Sequence, residues 1–328
     1  MVRALAMISG GLDSILSAKL VMEQGIEVIG ICFRSYFFNE ENAKRMCEQI
    51  NMKLEVIDFS EEHLEMVKDP KHGRGKNMNP CIDCHAMMMK YSGELLEKFN
   101  ADFIITGEVL NQRPMSQNKR ALETVKKESG FSNKILRPLC AKNLDPTEME
   151  LNGLVDREKL LDISGRSRTK QIELANLWGI KDYPSPAGGC KLTEPNYAIR
   201  LQDLLKGQEK LSPDDLEVLK LGRHLRISES TKVIVSRNAE EEEKLRTYIK
   251  NNDIILTAKN SVGAMVISRG NNSVEDLQIS AAICARYCKE KDNGSVEINC
   301  FDVKNDNSTC LIVTPYTDEH LKQYMINF

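Results

Sequence analysis

The stretch Arg3-Ala4-Leu5-Ala6-Met7-Ile8, followed by Ser9-Gly10-Gly11-Leu12-Asp13-Ser14, decides how the N-terminal half is read. An unbroken apolar run over residues 2–8 suits a strand covered on both faces. Ile15, Leu16, Leu20 and Val21 then recur at helical spacing through Ser14–Gln24, and Gly25 is placed to end the helix. Between the two lies a glycine loop. Strand, loop and helix in that order hold a pyrophosphate group well. Glycines let the backbone come close to the oxygens, and successive N–H groups form an anion nest at the positive helix end. Ser9 and Ser14 add hydroxyl donors. Asp13 among phosphates would repel them, so its expected task is to hold a Mg²⁺ that bridges phosphate oxygens. The competing reading is a turn that merely joins a strand to a helix. No Gly-x4-Gly-Lys-Ser/Thr occurs, so a Walker-type site is not expected.

Working outward, the alternation continues. Val28–Phe33 reads as a strand, Glu40–Ile50 as a helix and Lys53–Ile57 as a strand. Leu64 to Pro80 reads as irregular and basic, His85–Phe99 as a helix and Asp102–Thr106 as a strand. This succession predicts an α/β fold, a doubly wound parallel sheet with ligands at the carboxyl ends of its strands. Two short helical patterns follow over 156–178, and the turn Tyr183–Cys190 is read as irregular. Beyond about residue 229 strands predominate, at Lys232–Ser236, Ile254–Ala258, Ala264–Ser268, Val296–Val303 and Thr309–Thr314, with helices near 239–250 and 275–289. The expected organisation is a nucleotide domain over 1–200, a helical connector over 201–228 and a smaller α+β domain over 229–328.

Composition narrows the class. With 328 residues, 41% apolar and 28% charged, the chain can bury two cores and is not of disordered type. A net charge of −3 leaves RNA binding to local basic faces. No secretion signal and no long apolar run are evident, so a cytoplasmic protein without membrane contact is expected. Ten cysteines then point to thiol, metal or redox chemistry rather than a disulfide scaffold.

The loop at residues 9–14 resembles that of the PP-loop ATP pyrophosphatase superfamily, the adenine nucleotide alpha hydrolase-like fold. Its members cleave ATP to AMP and pyrophosphate to activate an oxygen. The segment Thr106-Gly107-Glu108-Val109-Leu110-Asn111-Gln112, with Ser116-Gln117 and Arg137-Pro138-Leu139, is similar to that of bacterial tRNA 4-thiouridine synthases. That resemblance, over about residues 1–195, implies ATP and Mg²⁺ as cofactors. It places Ser9, Gly10, Gly11, Asp13, Ser14, Phe33, Thr106 and Gly107 around the nucleotide. Val235-Ser236-Arg237-Asn238-Ala239-Glu240 and Thr257–Ala264, with the helix Ala281–Tyr287, resemble the RNA-binding domain of NFACT proteins. Ser236 stands where those proteins carry glycine.

Cys81 and Cys84, in Asn79-Pro80-Cys81-Ile82-Asp83-Cys84-His85, are close together near a helix start, and Cys190 follows Gly188-Gly189. Zinc held by the three cysteines and His85, and a persulfide relay, both fit such thiols. An iron–sulfur cluster, [4Fe-4S] with three protein ligands, fits best, because one iron is then open to hydrosulfide. Several PP-loop tRNA thiolases are similar, with Cys-x2-Cys and one remote Cys. The other cysteines read as packing residues, and His63, His72, His224 and His320 as surface residues. Arg113, Lys119 and the helix start Asp162–Lys170 are candidates for phosphate contacts.

These readings converge on an ATP-dependent tRNA sulfurtransferase with Asp13, Cys81 and Cys190 as catalytic residues. Its partners would be tRNA and a sulfur donor, sulfide or a cysteine desulfurase, and a homodimer is compatible with it. The alternatives are a sulfur transferase for a small molecule or cofactor precursor, and a nucleotide-regulated RNA- or ribosome-binding factor.

Overall fold

The structure, a computed structural model, describes residues 1–185, 189–207, 210–292 and 294–326. The chain divides into two compact units, Met1–Lys191 and Leu192–Phe328. Unit 1 contains β1 (Arg3–Met7), α1 (Leu12–Met22), β2 (Glu27–Arg34), α2 (Glu41–Glu48), β3 (Leu54–Asp58) and α3 (Ser60–Lys68). It continues with α4 (Cys81–Glu94), β4 (Phe103–Thr106), α5 (Lys119–Glu128), β5 (Ile135–Leu136), α6 (Glu148–Leu151) and α7 (Thr169–Leu177). The strands form one parallel sheet in the order β3-β2-β1-β4-β5.

Strand alternation builds a core on each face of this sheet. Ala4, Ala6, Ile8, Val28, Cys32 and Phe103 pack with α1, α2 and α7, through Leu16, Met46 and Ala175 among others. Leu5, Ile29, Ile31, Phe33 and Ile104 face the other way, onto Ala86 and Met89 of α4 and Val125 of α5. Helix α1 is buried at Leu12, Leu20, Val21 and every position from Ser14 to Ala18. The sheet order reverses direction between β1 and β4, so the crevice at the carboxyl ends of these two strands is the switch point where such sheets bind ligands.

Three elements depart from the sequence reading. Helix α3 occupies the start of the stretch expected to be irregular. Ser60, Glu61 and Glu62 suit its positive N-terminus, and His63, Leu64 and Val67 are buried. Helix α4 begins at Cys81 rather than His85, which brings both cysteines of the Cys-x2-Cys pair into its first turn. Helix α5 was not foreseen; the Asn118 side chain caps it by accepting from Ala121 N, and Ala121, Leu122 and Val125 form its buried stripe.

Unit 2 contains α8 (Pro195–Gly207), α9 (Pro213–Val218), β6 (Arg223–Arg226), β7 (Thr231–Val235), α10 (Ala239–Arg246) and β8 (Asp253–Ala258). Then come β9 (Val266–Gly270), α11 (Val274–Arg286), β10 (Val296–Asp302), β11 (Asn307–Val313) and α12 (Asp318–Lys322). Its strands form an antiparallel sheet in the order β11-β10-β8-β9-β7-β6. Helix α11 covers one face, and Val218 of α9 with Leu245 of α10 pack on the other through Ile234, Met265 and Ile267. The stretch 201–228 is therefore only partly helical. Its end, Arg-His-Leu-Arg, is an edge strand, because Leu225 faces Val233 across the pairing with β7 and is fully buried. Among the described residues no helix is long and apolar enough to cross a membrane.

Candidate active site at the switch point

The loop after β1 lies where the sequence puts it, between β1 and the start of α1. Gly10 adopts a φ of +78°, and a Cβ there would come within 2.6 Å of Asn42 Cβ and 2.7 Å of Ala43 N, so only glycine fits. Gly11 is the N-cap of α1 and lends no side chain to its free N–H groups. Those donors stay available to an anion. Ser14 Oγ donates to Gly11 O at 2.8 Å, which ties the hydroxyl to the loop.

Asp13, in the first turn of α1, is held by residues far along the chain. Gln112 Nε2 donates to Asp13 Oδ2 at 2.6 Å, and Gln171 Nε2 in turn donates to Gln112 Oε1 at 2.9 Å. Arg168 lies 3.7 Å from Asp13 Oδ1, an oxygen that is buried yet accepts no hydrogen bond among the described residues. A single carboxylate with an unused lone pair beside a phosphate loop fits Mg²⁺, which binds through one or two carboxylates and substrate phosphates. Of the cations in the 162–170 stretch, Arg168 is thus engaged with Asp13, and Lys170 pairs with Asp162 at 2.6 Å.

β4 delivers the second wall. Gly107 presses on α1 so closely that a Cβ would meet Ser14 N at 2.5 Å. The next residue, Glu108, is 4% exposed and binds His85 Nδ1 at 3.0 Å and Arg137 Nε at 2.8 Å. Burial alone would raise its carboxyl, but Arg137 and His85 outweigh it and hold the group down at about 2. Phe33 is buried against Phe59 and Tyr91, with ring centres 5.1 and 6.4 Å away, so its side chain is taken up by the core.

The cysteines gather beside this wall. Cys81 and Cys84 lie one turn apart on α4, so they share a face at the positive helix end. Cys81 is half-buried and accepts from Asn79 Nδ2 at 3.4 Å. Burial pushes the Cys84 thiol well above its ordinary value, and the nearby Cys190, Cys81 and Asp83 act in the same direction. Cys190 is thus a spatial neighbour of Cys84, although residues 186–188 of the turn before it lie outside the described residues. His85 turns its Nδ1 to Glu108 rather than to the thiols, and no described group of three His, Cys, Asp or Glu closes on a single metal ion. A cubane spaces its thiolates more widely than a single ion does, and two thiols at a helix start with a third near Cys84 suit it in donor type.

Two histidines expected at the surface are fully buried. His63 Nε2 lies 3.2 Å from Cys84 Sγ and its Nδ1 2.8 Å from Ser35 Oγ, while Phe37, Phe38 and Phe59 enclose the ring. Burial holds it down at about 4, so the ring is neutral at neutral pH. His224, in unit 2, sends Nε2 to Leu221 O at 2.8 Å and serves the fold. His72 instead binds Asp83 Oδ1 at 2.7 Å. The sequence reading also missed the roles of Glu108, Arg137 and Gln112. Each lay inside a segment quoted for its resemblance, which was the available signal.

Comparison with known proteins agrees with these two units. Residues 2–148 match the family described as thiamine biosynthesis protein (ThiI), and residues 222–325 match the NFACT protein RNA binding domain. A tRNA-specific 2-thiouridylase MnmA of Proteus mirabilis is 28% identical over 165 residues, covering 43% of this chain and 44% of that protein. One from Shewanella pealeana is 24% identical over 222 residues, covering 61% of this chain and 55% of that protein. The chain thus spans about half the length of these curated relatives. A 4-thiouridine synthetase solved with RNA and bound ATP shares 18% identity and a TM-score of 0.38, over 66% of this chain and 52% of that one. Residues 2–148, within the first unit, thus match a ThiI-family domain, and residues 222–325, within the second, match an NFACT-type RNA binding domain.

Proposed function

We propose that the chain is an ATP-dependent tRNA sulfurtransferase that converts a uridine carbonyl to a thiocarbonyl. The observation that carries the reading is that Gly107 and Glu108 join the glycine loop Ser9–Ser14 to the helix start that bears Cys81 and Cys84, through contacts with Ser14 and His85. The names of the matching relatives, tRNA thiouridylases, support the same substrate class.

A uracil oxygen is a poor leaving group. Attack of that oxygen on the α-phosphorus of ATP makes an adenylate and expels pyrophosphate toward the loop, whose N–H groups and helix end stabilise the growing negative charge. Asp13 would hold Mg²⁺ through Oδ1, with Gln112 fixing Oδ2, and the ion would supply charge neutralisation between the phosphates. Sulfur then adds to the activated carbon and AMP departs. Cys81, Cys84 and Cys190 would carry an iron–sulfur cluster, which when bound supplies an open iron for hydrosulfide. Around it, His63 would fix Cys84 from within its aromatic pocket, and all three cysteines are half-buried. The 222–325 domain would grip the RNA. Mg²⁺, the cluster, the sulfur donor and a cytoplasmic setting are parts of this proposal, as are the site roles of Thr106, Gly107 and Phe33.

The decisive experiment is mass spectrometry of nucleosides from tRNA of a deletion strain. One thiolated base should disappear and return on complementation. An unchanged nucleoside profile would refute the tRNA assignment. Cys81→Ala, Cys84→Ala and Cys190→Ala should each fail to complement, and anaerobically prepared wild-type protein should contain iron; stoichiometric zinc without iron would refute the cluster.

A further inference from the structure

Glu108 stands where the two halves of the site meet. Gly107, just before it, has no slack against α1, since a Cβ there would lie 2.5 Å from Ser14 N and 2.7 Å from the Asp13 carbonyl carbon. The Glu108 carboxylate then reaches two further elements. It takes His85 of α4 at 3.0 Å and Arg137, just past β5, at 2.8 Å. Arg137 also donates to Leu122 O of α5 at 3.0 Å, and Cys140 Sγ donates to Glu108 O at 3.4 Å. His85 follows Cys84 directly in the chain. Two residues, Gly107 and Glu108, therefore connect the helix that faces the phosphates to the helix that begins with the thiols.

Charge is an inefficient way to hold such elements together. Apolar side chains of similar volume often serve stability as well or better, because a buried ion pair must overcome its own desolvation. What a carboxylate with two directional partners adds is geometry: each partner is fixed in distance and angle, where an apolar contact would allow sliding. A movement of the α1 start toward bound phosphates must carry Gly107, and Glu108 would transmit it to His85 and the first turn of α4.

We propose that Glu108 is a positioning residue that couples nucleotide occupancy of the phosphate loop to the placement of Cys81 and Cys84, acting through His85. The inference rests on reading residues 9–14 as an ATP site. The two fail separately in one experiment on the full chain. ATP binding with Mg²⁺ is measured by calorimetry, and alkylation of Cys81 is followed by mass spectrometry with and without nucleotide. In the wild type, nucleotide should change the alkylation rate by on the order of fivefold, the usual scale of coupling between sites. His85→Ala and Glu108→Gln should bind ATP like the wild type but lose that response, and His85→Gln, which keeps a donor for Glu108, should restore most of it. A wild type that binds ATP with an unchanged alkylation rate overturns the coupling. So does a His85→Ala protein with the full response, which would mean that ATP shields Cys81 directly. A wild type that binds no ATP overturns the site reading and the coupling with it. If Glu108→Gln does not fold, the His85 pair of variants still decides.

Discussion

Gly107→Ala tests the closeness of the two walls. The added methyl would sit 2.5 Å from Ser14 N, 2.6 Å from Ser14 Cα and 2.7 Å from the Asp13 carbonyl carbon. All three are backbone atoms of a helix buried on most of its surface, so none can swing aside as a side-chain tip would. Relief to an ordinary contact requires either the start of α1 or the end of β4 to move by roughly 1 Å, and overpacking of this kind costs about 1–3 kcal/mol. That lowers the folding equilibrium constant by about five- to a hundred-and-fifty-fold. The same movement displaces the N–H groups that face the phosphates, so ATP affinity should fall as well. Gly11→Ala is the control for stability only, because its Cβ would meet just Ser9 Oγ, at an ordinary 3.5 Å, while the residue itself belongs to the glycine loop. Urea unfolding followed by circular dichroism gives the stability of each variant, and calorimetry gives the ATP affinity. A Gly107→Ala protein matching the wild type in both, within about 0.5 kcal/mol, the scatter of neutral surface changes, would refute the argument.

Three further outcomes follow from the same geometry. Asp13→Asn should reduce pyrophosphate release by about a hundredfold or more, since the ion loses its anionic ligand while the fold persists; release assays at saturating ATP check it. Glu108→Gln should cost about 3–5 kcal/mol at neutral pH by leaving Arg137 buried without its anion. The Glu108 carboxyl is depressed in the folded chain, to about 2. Its stabilisation is therefore complete above the ordinary glutamate value of about 4.3 and is lost as pH falls from there through the folded value. The gap between wild type and variant in urea titrations should accordingly narrow from pH 5 toward pH 2. Finally, residues 1–191 alone should bind ATP but lose most RNA affinity, as judged by gel-shift titration at fixed salt; equal affinity for both forms would remove the RNA role of the 222–325 domain.

What was legible in the sequence was local. The strand, glycine loop and helix at residues 3–22 announce themselves because each part depends on neighbours within one turn or one pleat. Cys-x2-Cys is legible for the same reason. The rest depends on distant residues meeting. His63 carries no periodic signal, and its burial follows only from the return of Cys84 and Ser35 to its ring. Glu108, His85 and Arg137 come from three elements, and β5 is a strand of just Ile135–Leu136, too short to show a period. Arg223–Arg226 alternates over too few residues to betray a strand until β7 supplies its partner. Helix α5 was missed although Asn118 and its apolar stripe were visible, since lysines and glutamates dominate the segment.

The near-complete burial of α1 has a consequence for motion. A helix enclosed from Ser14 to Ala18 opens only when most of the unit opens, so its amide protons belong with the slowest-exchanging of the chain. The free N–H donors at its start are therefore aligned in advance, and an anion binding there would cost little backbone freedom. The first turn of α4 is less enclosed, with Cys81, Ile82, Asp83 and Cys84 all half-buried. One edge of the crevice is enclosed and the other is half-open to solvent. Under the proposed function, recognition of the nucleotide would be inherited from the fold, and the half-open edge would be the one where sulfur is handled.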